Sequence, residues 1–308
     1  MPVQITSIKS HFPVKIETLK SITKNSSNRK KLISATGINK RYISSKNENV
    51  ITLSIKSAQK LLCKKIKKQI GFLFFVSQTS PYKFPSVSCI LQNELNLPKN
   101  IFATDINMGC SGYIHALKLA NSFISANNKK YGLIICSDTY TKYISKNNKS
   151  CRPIFSDAST ATLLKITKKN SLKSFEFGVD GRGYKDLVLS ENSNNMYMNG
   201  AKIAIFTLKE IPVFIEKFMK KNKIKKKNIK YFALHQASKF VCEKIRKKID
   251  LDKRYFLNNF NKFGNTVSSS IPLLLQEAIE KKKLKKNDTI IACGFGVGLS
   301  WGVVEIKW

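Results

Sequence analysis

The sequence predicts an α/β protein made of two similar halves that share one core. Three observations carry this. Short uninterrupted apolar runs at Phe72–Val76, Gly132–Cys136, Tyr231–Leu234 and Ile290–Cys293 have the length of buried strands and alternate with helical patterns. The order of elements in the first half recurs in the second. The recurrence keeps a nearly constant offset: Ser77-Gln78-Thr79-Ser80 aligns with His235-Gln236-Ala237-Ser238 at 158 residues, and Leu133–Cys136 with Ile290–Cys293 at 157. The halves are expected at 1–166 and 167–308, joined without a flexible linker.

In chain order, Val3–Ile8 reads as a strand. Ser54–Ile70 reads as one amphipathic helix, with Ala58, Leu62, Ile66 and Ile70 four apart and lysines on the outer face. The strand Phe72–Val76 follows, then a helix at Ser86–Leu95. A strand ends near Asp105-Ile106 and leads through Asn107-Met108-Gly109-Cys110-Ser111-Gly112 into a helix patterned by Tyr113, Ile114, Leu117, Leu119, Ala120 and Ile124. After the strand Gly132–Cys136 comes the run Phe155–Leu164. The second half supplies a helix at Lys209–Lys221, the strand Tyr231–Leu234 and a helix marked by Val241, Ile245 and Ile249. Gly264-Asn265-Thr266 then leads into a helix over Ser268–Ile279, where Cys110 and its helix stood in the first half. Ile290–Cys293 and Ser300–Ile306 close the chain as strands.

Composition narrows the function classes. The 308 residues are 42% hydrophobic with 14 dispersed glycines, the profile of an ordered globular chain. No basic-then-apolar leader opens the sequence, and no apolar run approaches the ~18 residues of a membrane helix, so a cytoplasmic protein without a membrane span is expected. Seven cysteines, an odd number without a Cys-x-x-Cys pair, read as reduced thiols. With only His11, His115 and His235 as imidazoles, no metal site is expected. The net charge of +36 is nearly all lysine on helices, accompanied by many Asn and Ile, as A/T-rich codons produce. No aromatic-interleaved basic motif accompanies it, so nucleic acid is not the expected partner. An acidic protein partner suits such a surface.

Cys110 falls at a helix start, where free N–H groups and the helix dipole favour a thiolate. Taken alone, a cysteine is usually inert packing, a buried histidine a satisfied core residue, and an Asn after Gly a turn. Related halves, however, bring the loops carrying Cys110, His235 and Asn265 to one junction. Thiol, imidazole and amide together suit nucleophilic acyl chemistry. Gly294-Phe295-Gly296-Val297-Gly298 is either a tight strand connection or a source of backbone N–H groups for an oxyanion.

These motifs resemble the β-ketoacyl-[acyl-carrier-protein] synthase III family. The resemblance rests on Gly109-Cys110-Ser111-Gly112, His235-Gln236-Ala237-Ser238, Gly264-Asn265-Thr266 and the run from Gly294 to Gly302. Thr36-Gly37-Ile38, Phe84-Pro85-Ser86, Ser156-Asp157-Ala158 and Met198-Asn199-Gly200 support it, in family order from about residue 30 onward. It implies a thiolase fold, layered αβαβα about a pseudo-twofold, and a homodimer. It also implies decarboxylative Claisen condensation of an acyl thioester with a malonyl-[acyl carrier protein]. Cys110 would form the acyl-enzyme, the N–H groups of Cys110 and Val297 the oxyanion hole, and His235 with Asn265 the enolate site. Phe84, Met198, Gly200, Ala204, Phe206, Ser238 and Phe295 would contact substrate. Coenzyme A or phosphopantetheine thioesters are the implied substrates, with an acidic acyl carrier protein as partner and no cofactor.

The sequence departs from the family on the donor arm. Lys31-Leu32-Ile33-Ser34-Ala35 lacks the Trp and Arg often found there, Ser238 stands where Asn is frequent, and Val297 replaces a glycine. These changes point to a specialised member. Competing readings are an acyltransferase that moves the Cys110-bound acyl group to an O or N acceptor in a surface-polysaccharide or secondary-metabolite pathway, a Cys-His-Asn hydrolase, and a non-enzymatic basic binding module.

Overall fold

The computed structural model describes the chain except residues 1, 24, 124–128, 169, 191–192 and 194; Ile124, assigned above to a helix, lies outside the described residues. The first sheet uses β1 (Val3–His11), β2 (Ile70–Val76), β3 (Phe102–Ile106), β4 (Tyr131–Asp138) and β5 (Ala158–Ile166). Its spatial order is β1-β5-β4-β2-β3, with β2 parallel to both neighbours and β5 antiparallel to both of its own. The second sheet uses β6 (Leu172–Val179), β7 (Tyr231–Leu234), β8 (Thr289–Gly296) and β9 (Ser300–Lys307) in the order β7-β8-β9-β6. Read from the other edge, β6-β9-β8-β7 repeats β1-β5-β4-β2. A parallel bridge from Phe256 to Phe232 occupies the place of β3.

Three layers of helices complete the molecule. Outside the first sheet lie α1 (Val50–Gln59) and α2 (Val87–Glu94), packed on Leu73, Phe75, Leu133 and Ile135. Between the sheets lie α3 (Gly112–Ser122) and α6 (Ser270–Glu280). Outside the second sheet lie α4 (Gly200–Lys221) and α5 (Lys239–Lys248). Strand alternation sorts the side chains. Phe72, Phe74 and Val76 of one sheet and Ala233, Ile290 and Ala292 of the other turn inward onto Tyr113, Leu117, Ile271 and Leu274 of the middle helices. One continuous core therefore spans both halves.

Two elements differ from expectation. The helix expected over Ser54–Ile70 is divided: α1 begins at Val50 behind an Asn49–Thr52 capping box and ends at Gln59, a single turn covers Lys64–Lys67, and Ile70 already belongs to β2. Four-residue spacing reads as one helix, but Ile70 is held in the sheet by pairing with Tyr131, which overrides the local pattern. The helix expected at Lys209–Lys221 starts nine residues earlier, at Gly200, where the Asn199 side chain accepts from Lys202 N. Among the described residues no helix is long and apolar enough to cross a membrane.

A buried carboxylate joins the halves at the end of β4. Asp138 Oδ1 accepts from Gln78 N at 2.9 Å, and Oδ2 accepts from the Ser268 hydroxyl at 2.5 Å and Ser268 N at 3.3 Å. Burial pushes its pKa up to about 6, against the pull of these donors. Every partner is a donor, so an amide NH₂ in its place would face other donors. Asp138→Asn is expected to destabilise the fold by about 2 kcal/mol, measured as a lower urea midpoint with an unchanged slope. The native state holds a proton here that the unfolded chain releases near its ordinary carboxylate pKa. This group's contribution to stability therefore falls as pH rises from about 4 to 6, a decline that Asp138→Asn should remove from the urea midpoints.

Candidate active site

Cys110 lies two residues before α3, carried there by β3, and Asn265 lies five residues before α6. His235 directly follows β7. All three side chains are buried, and all three line one cavity of about 270 Å³. The duplicated topology brings them together: each follows a strand position of its own half, and the strand ends converge where the two sheets meet.

The thiol is held closely. Backbone N–H groups of Val297 and of Cys110 itself point at Sγ. A Cβ at Gly296 would lie 3.0 Å from Sγ and 2.9 Å from the Cys110 Cβ, so only glycine admits this approach of β8. The loop bearing Val297 is tied to the nucleophile's helix by hydroxyls: Ser300 Oγ donates to Val297 O at 2.8 Å and sits 2.8 Å from Ser111 Oγ.

Its protonation differs from expectation. Burial, reinforced by the Asp138 charge, pushes the Cys110 thiol up to about 12, against the pull of the two N–H groups. In the resting site desolvation outweighs the helix start, and the thiol keeps its proton at neutral pH.

His235 Nδ1 lies 2.7 Å from Ser270 Oγ, and burial lowers the imidazole pKa to about 3, so the ring is neutral in the working range. A hydroxyl both donates and accepts, so Ser270 supports Nε2 as proton acceptor or as donor. Asn265 is fixed by its backbone, which donates to Ile154 O at 3.0 Å and accepts from Ser156 N at 2.9 Å. Its Oδ1 accepts from Val267 N at 3.0 Å, which orients Nδ2 as the amide's donor.

Of the expected substrate contacts, Met198, Gly200, Ala204, Ser238 and Phe295 line the cavity. Ser238 also caps α5, accepting from Val241 N, so its hydroxyl has a structural task. Phe206 does not line the cavity. It points from α4 onto Trp301, with ring centroids 5.3 Å apart. Phe84 is 85% exposed and stands outside its own chain's cavity. Sequence reading missed Ser270, for which no local pattern speaks. It also missed Ile203 and Thr207, although they share a helical face with Gly200 and Ala204 at three- and four-residue spacing.

The layered, duplicated architecture with a cysteine at the head of a middle helix is the thiolase fold of acyl-condensing enzymes. The family model for 3-oxoacyl-[acyl-carrier-protein (ACP)] synthase III matches residues 104–181, and the model for its C-terminal part matches 219–308. A β-ketoacyl-[acyl-carrier-protein] synthase III of Clostridium tetani is 33% identical over 296 residues, covering 89% of this chain and 88% of the relative. A crystal structure of a 3-oxoacyl-(acyl-carrier-protein) synthase III superposes with a TM-score of 0.94 at 29% identity, covering 100% of both chains. A 3-oxoacyl-(acyl-carrier-protein) synthase from Burkholderia xenovorans gives 0.93 at 28% identity, covering 100% of this chain and 94% of its own. The chain belongs to the 3-oxoacyl-[acyl-carrier-protein] synthase III family.

Because the resting thiol is protonated, alkylation of Cys110 by iodoacetamide should rise steadily from pH 7 to 10, read by peptide mass spectrometry to separate it from exposed Cys63 and Cys89. A rate already level at pH 7 would reveal a resting thiolate. Ser270→Ala, which leaves the buried Nδ1 of His235 without its partner, should lower stability by about 1–2 kcal/mol, read as a lower urea midpoint, and slow turnover of the folded enzyme about tenfold.

Proposed function

We propose that this chain condenses an acyl thioester with a malonyl-[acyl carrier protein], releasing carbon dioxide and giving a 3-oxoacyl-[acyl carrier protein]. The observation that carries this is the cavity shared by Cys110, His235 and Asn265, with two backbone N–H groups aimed at the sulfur. Cys110 Sγ attacks the donor's thioester carbon while His235 Nε2 receives the thiol proton. The N–H groups of Cys110 and Val297 hold the resulting oxyanion. The carbon–sulfur bond of the donor then breaks, its thiolate takes the proton and leaves, and the acyl group remains on Cys110.

The malonyl thioester enters next. Nε2–H of His235 and Nδ2 of Asn265 donate to its thioester oxygen, so the electrons freed when the carboxylate departs as carbon dioxide are stabilised as an enolate. The enolate carbon attacks the acyl-Cys110 carbonyl, a carbon–carbon bond forms, and the thiolate of Cys110 leaves and regains a proton. No step calls on a cofactor.

The donor arm lacks the Trp and Arg that grip a nucleotide, offering Ala35 and Thr36 to the cavity instead. This favours a specialised member that takes its acyl group from a carrier protein, whose acidic surface suits the net charge of +36. A homodimer is the proposed assembly, with exposed Phe84 reaching the partner. Seven free thiols suit a cytoplasmic setting.

Intact-protein mass spectrometry tests the reading. An acyl donor should add one acyl mass that is absent in Cys110→Ser and is removed by malonyl-[acyl carrier protein] with release of carbon dioxide. An adduct that no malonyl thioester removes would instead favour transfer to an O or N acceptor. Asn265→Ala should still acylate, yet lose roughly 10²–10³-fold in condensation, the usual cost of one oxyanion donor.

A further inference from the structure

A second cavity, of about 200 Å³, lies beside the first, with Leu187 in the wall of both. Its apolar walls include Leu187, Met196 and the Val297 side chain, all packed in one cluster with Cys110. Cys110, His235 and Asn265 line the first cavity and not this one, which reaches the cysteine only through the side chains packed with it. On the condensation reading, on which this inference rests, it is the space open to the acyl group carried by Cys110.

That space is not an alkyl tunnel. Gln78, Thr79, Asn107, Tyr140 and Tyr143 also line it. Two of these have their polar atoms occupied within the protein. The Thr79 hydroxyl accepts from Thr139 N at 2.8 Å and faces Asp138, and the Tyr140 hydroxyl donates to Gln78 Oε1 at 2.7 Å. With Oε1 taken, the donor that Gln78 offers a ligand is Nε2. The residue is anchored through its backbone N–H on Asp138 at 2.9 Å. It also abuts the nucleophile's loop so closely that a Cβ at Gly109 would collide with Oε1. The amide therefore stands at a fixed place against the loop that carries the nucleophile.

A plain alkyl chain entering here would strip water from that amide and return nothing. A chain with an oxygen at the right depth would replace the lost hydrogen bond. We propose that Gln78, positioned by Tyr140, selects a short acyl donor bearing an oxygen acceptor, a hydroxyl or carbonyl, within reach of its amide. Leu187, Met196 and Val297 then receive the methylenes.

The test compares butyryl, 3-hydroxybutyryl and 4-hydroxybutyryl thioesters of acyl carrier protein, reading the rate of the Cys110 adduct by intact mass. At least one hydroxylated donor should exceed butyryl by about tenfold, the worth of one net hydrogen bond. Gln78→Leu should bring the ratio to one or below. Tyr140→Phe, which removes a single oxygen, should reduce the ratio while the melting temperature holds, and it carries the test should Gln78→Leu not fold. Butyryl equal to or faster than both hydroxylated donors would overturn the proposal and leave condensation standing. So would a preference unchanged in either variant. Absence of any adduct, with acetyl and butyryl donors on coenzyme A included, would remove both readings.

Discussion

Everything in this molecule follows from placing two helices between two sheets. A helix in that layer is covered from two sides, so α3 and α6 bury Tyr113, Ile114, Leu117, Ile271, Leu274 and Leu275 between the sheets. The same confinement decides where those helices begin. Both of their N-termini open at the seam of the sheets, one bringing a thiol and the other an amide, and the end of β7 adds the imidazole. The site is thus a place where the shared core breaks from regular structure. It is held by backbone pairing on both sides, as the bridge between Phe155 and Asn265 shows.

Confinement also sets the electrostatics. Burial raises the thiol and lowers the imidazole, so both groups rest in their neutral forms. A pair at rest with no separated charge costs little to desolvate. Charge develops only as a thioester arrives to use the N–H groups already in place. The helix start at Cys110 therefore matters less as a maker of thiolate than as a source of directed donors.

Much of this was legible in the residues. Tyr231–Leu234 and its counterparts announced themselves because a strand buried on both faces leaves no polar position, and the constant offset between halves announced the duplication. Cys110, His235 and Asn265 stood out because each ends a predictable element. What escaped was decided by contacts distant in sequence. Ile70 follows its strand partner Tyr131 and not its helical spacing, Phe206 turns to Trp301, and Ser270 acquires its role only when β7 is laid beside α6. The thiol's resting state was equally hidden, since a helix start can be read from a motif whereas the depth of its burial cannot.

The duplication has left the same residue at matching places with different duties. Gln236, the counterpart of Gln78, has both ends of its amide engaged by backbone, donating to Leu234 O at 2.9 Å and accepting from Asn259 N at 3.0 Å. Gln78 has its oxygen engaged by a side chain, the Tyr140 hydroxyl, and among the described residues its Nε2 has no such backbone partner. A joined pair of units can divide labour in a way that a symmetric pair of identical chains cannot. One copy of a residue keeps the architecture while its twin is released to vary with the molecule being recognised. Divergence of substrate choice in this chain is therefore expected to accumulate around position 78 and to spare position 236.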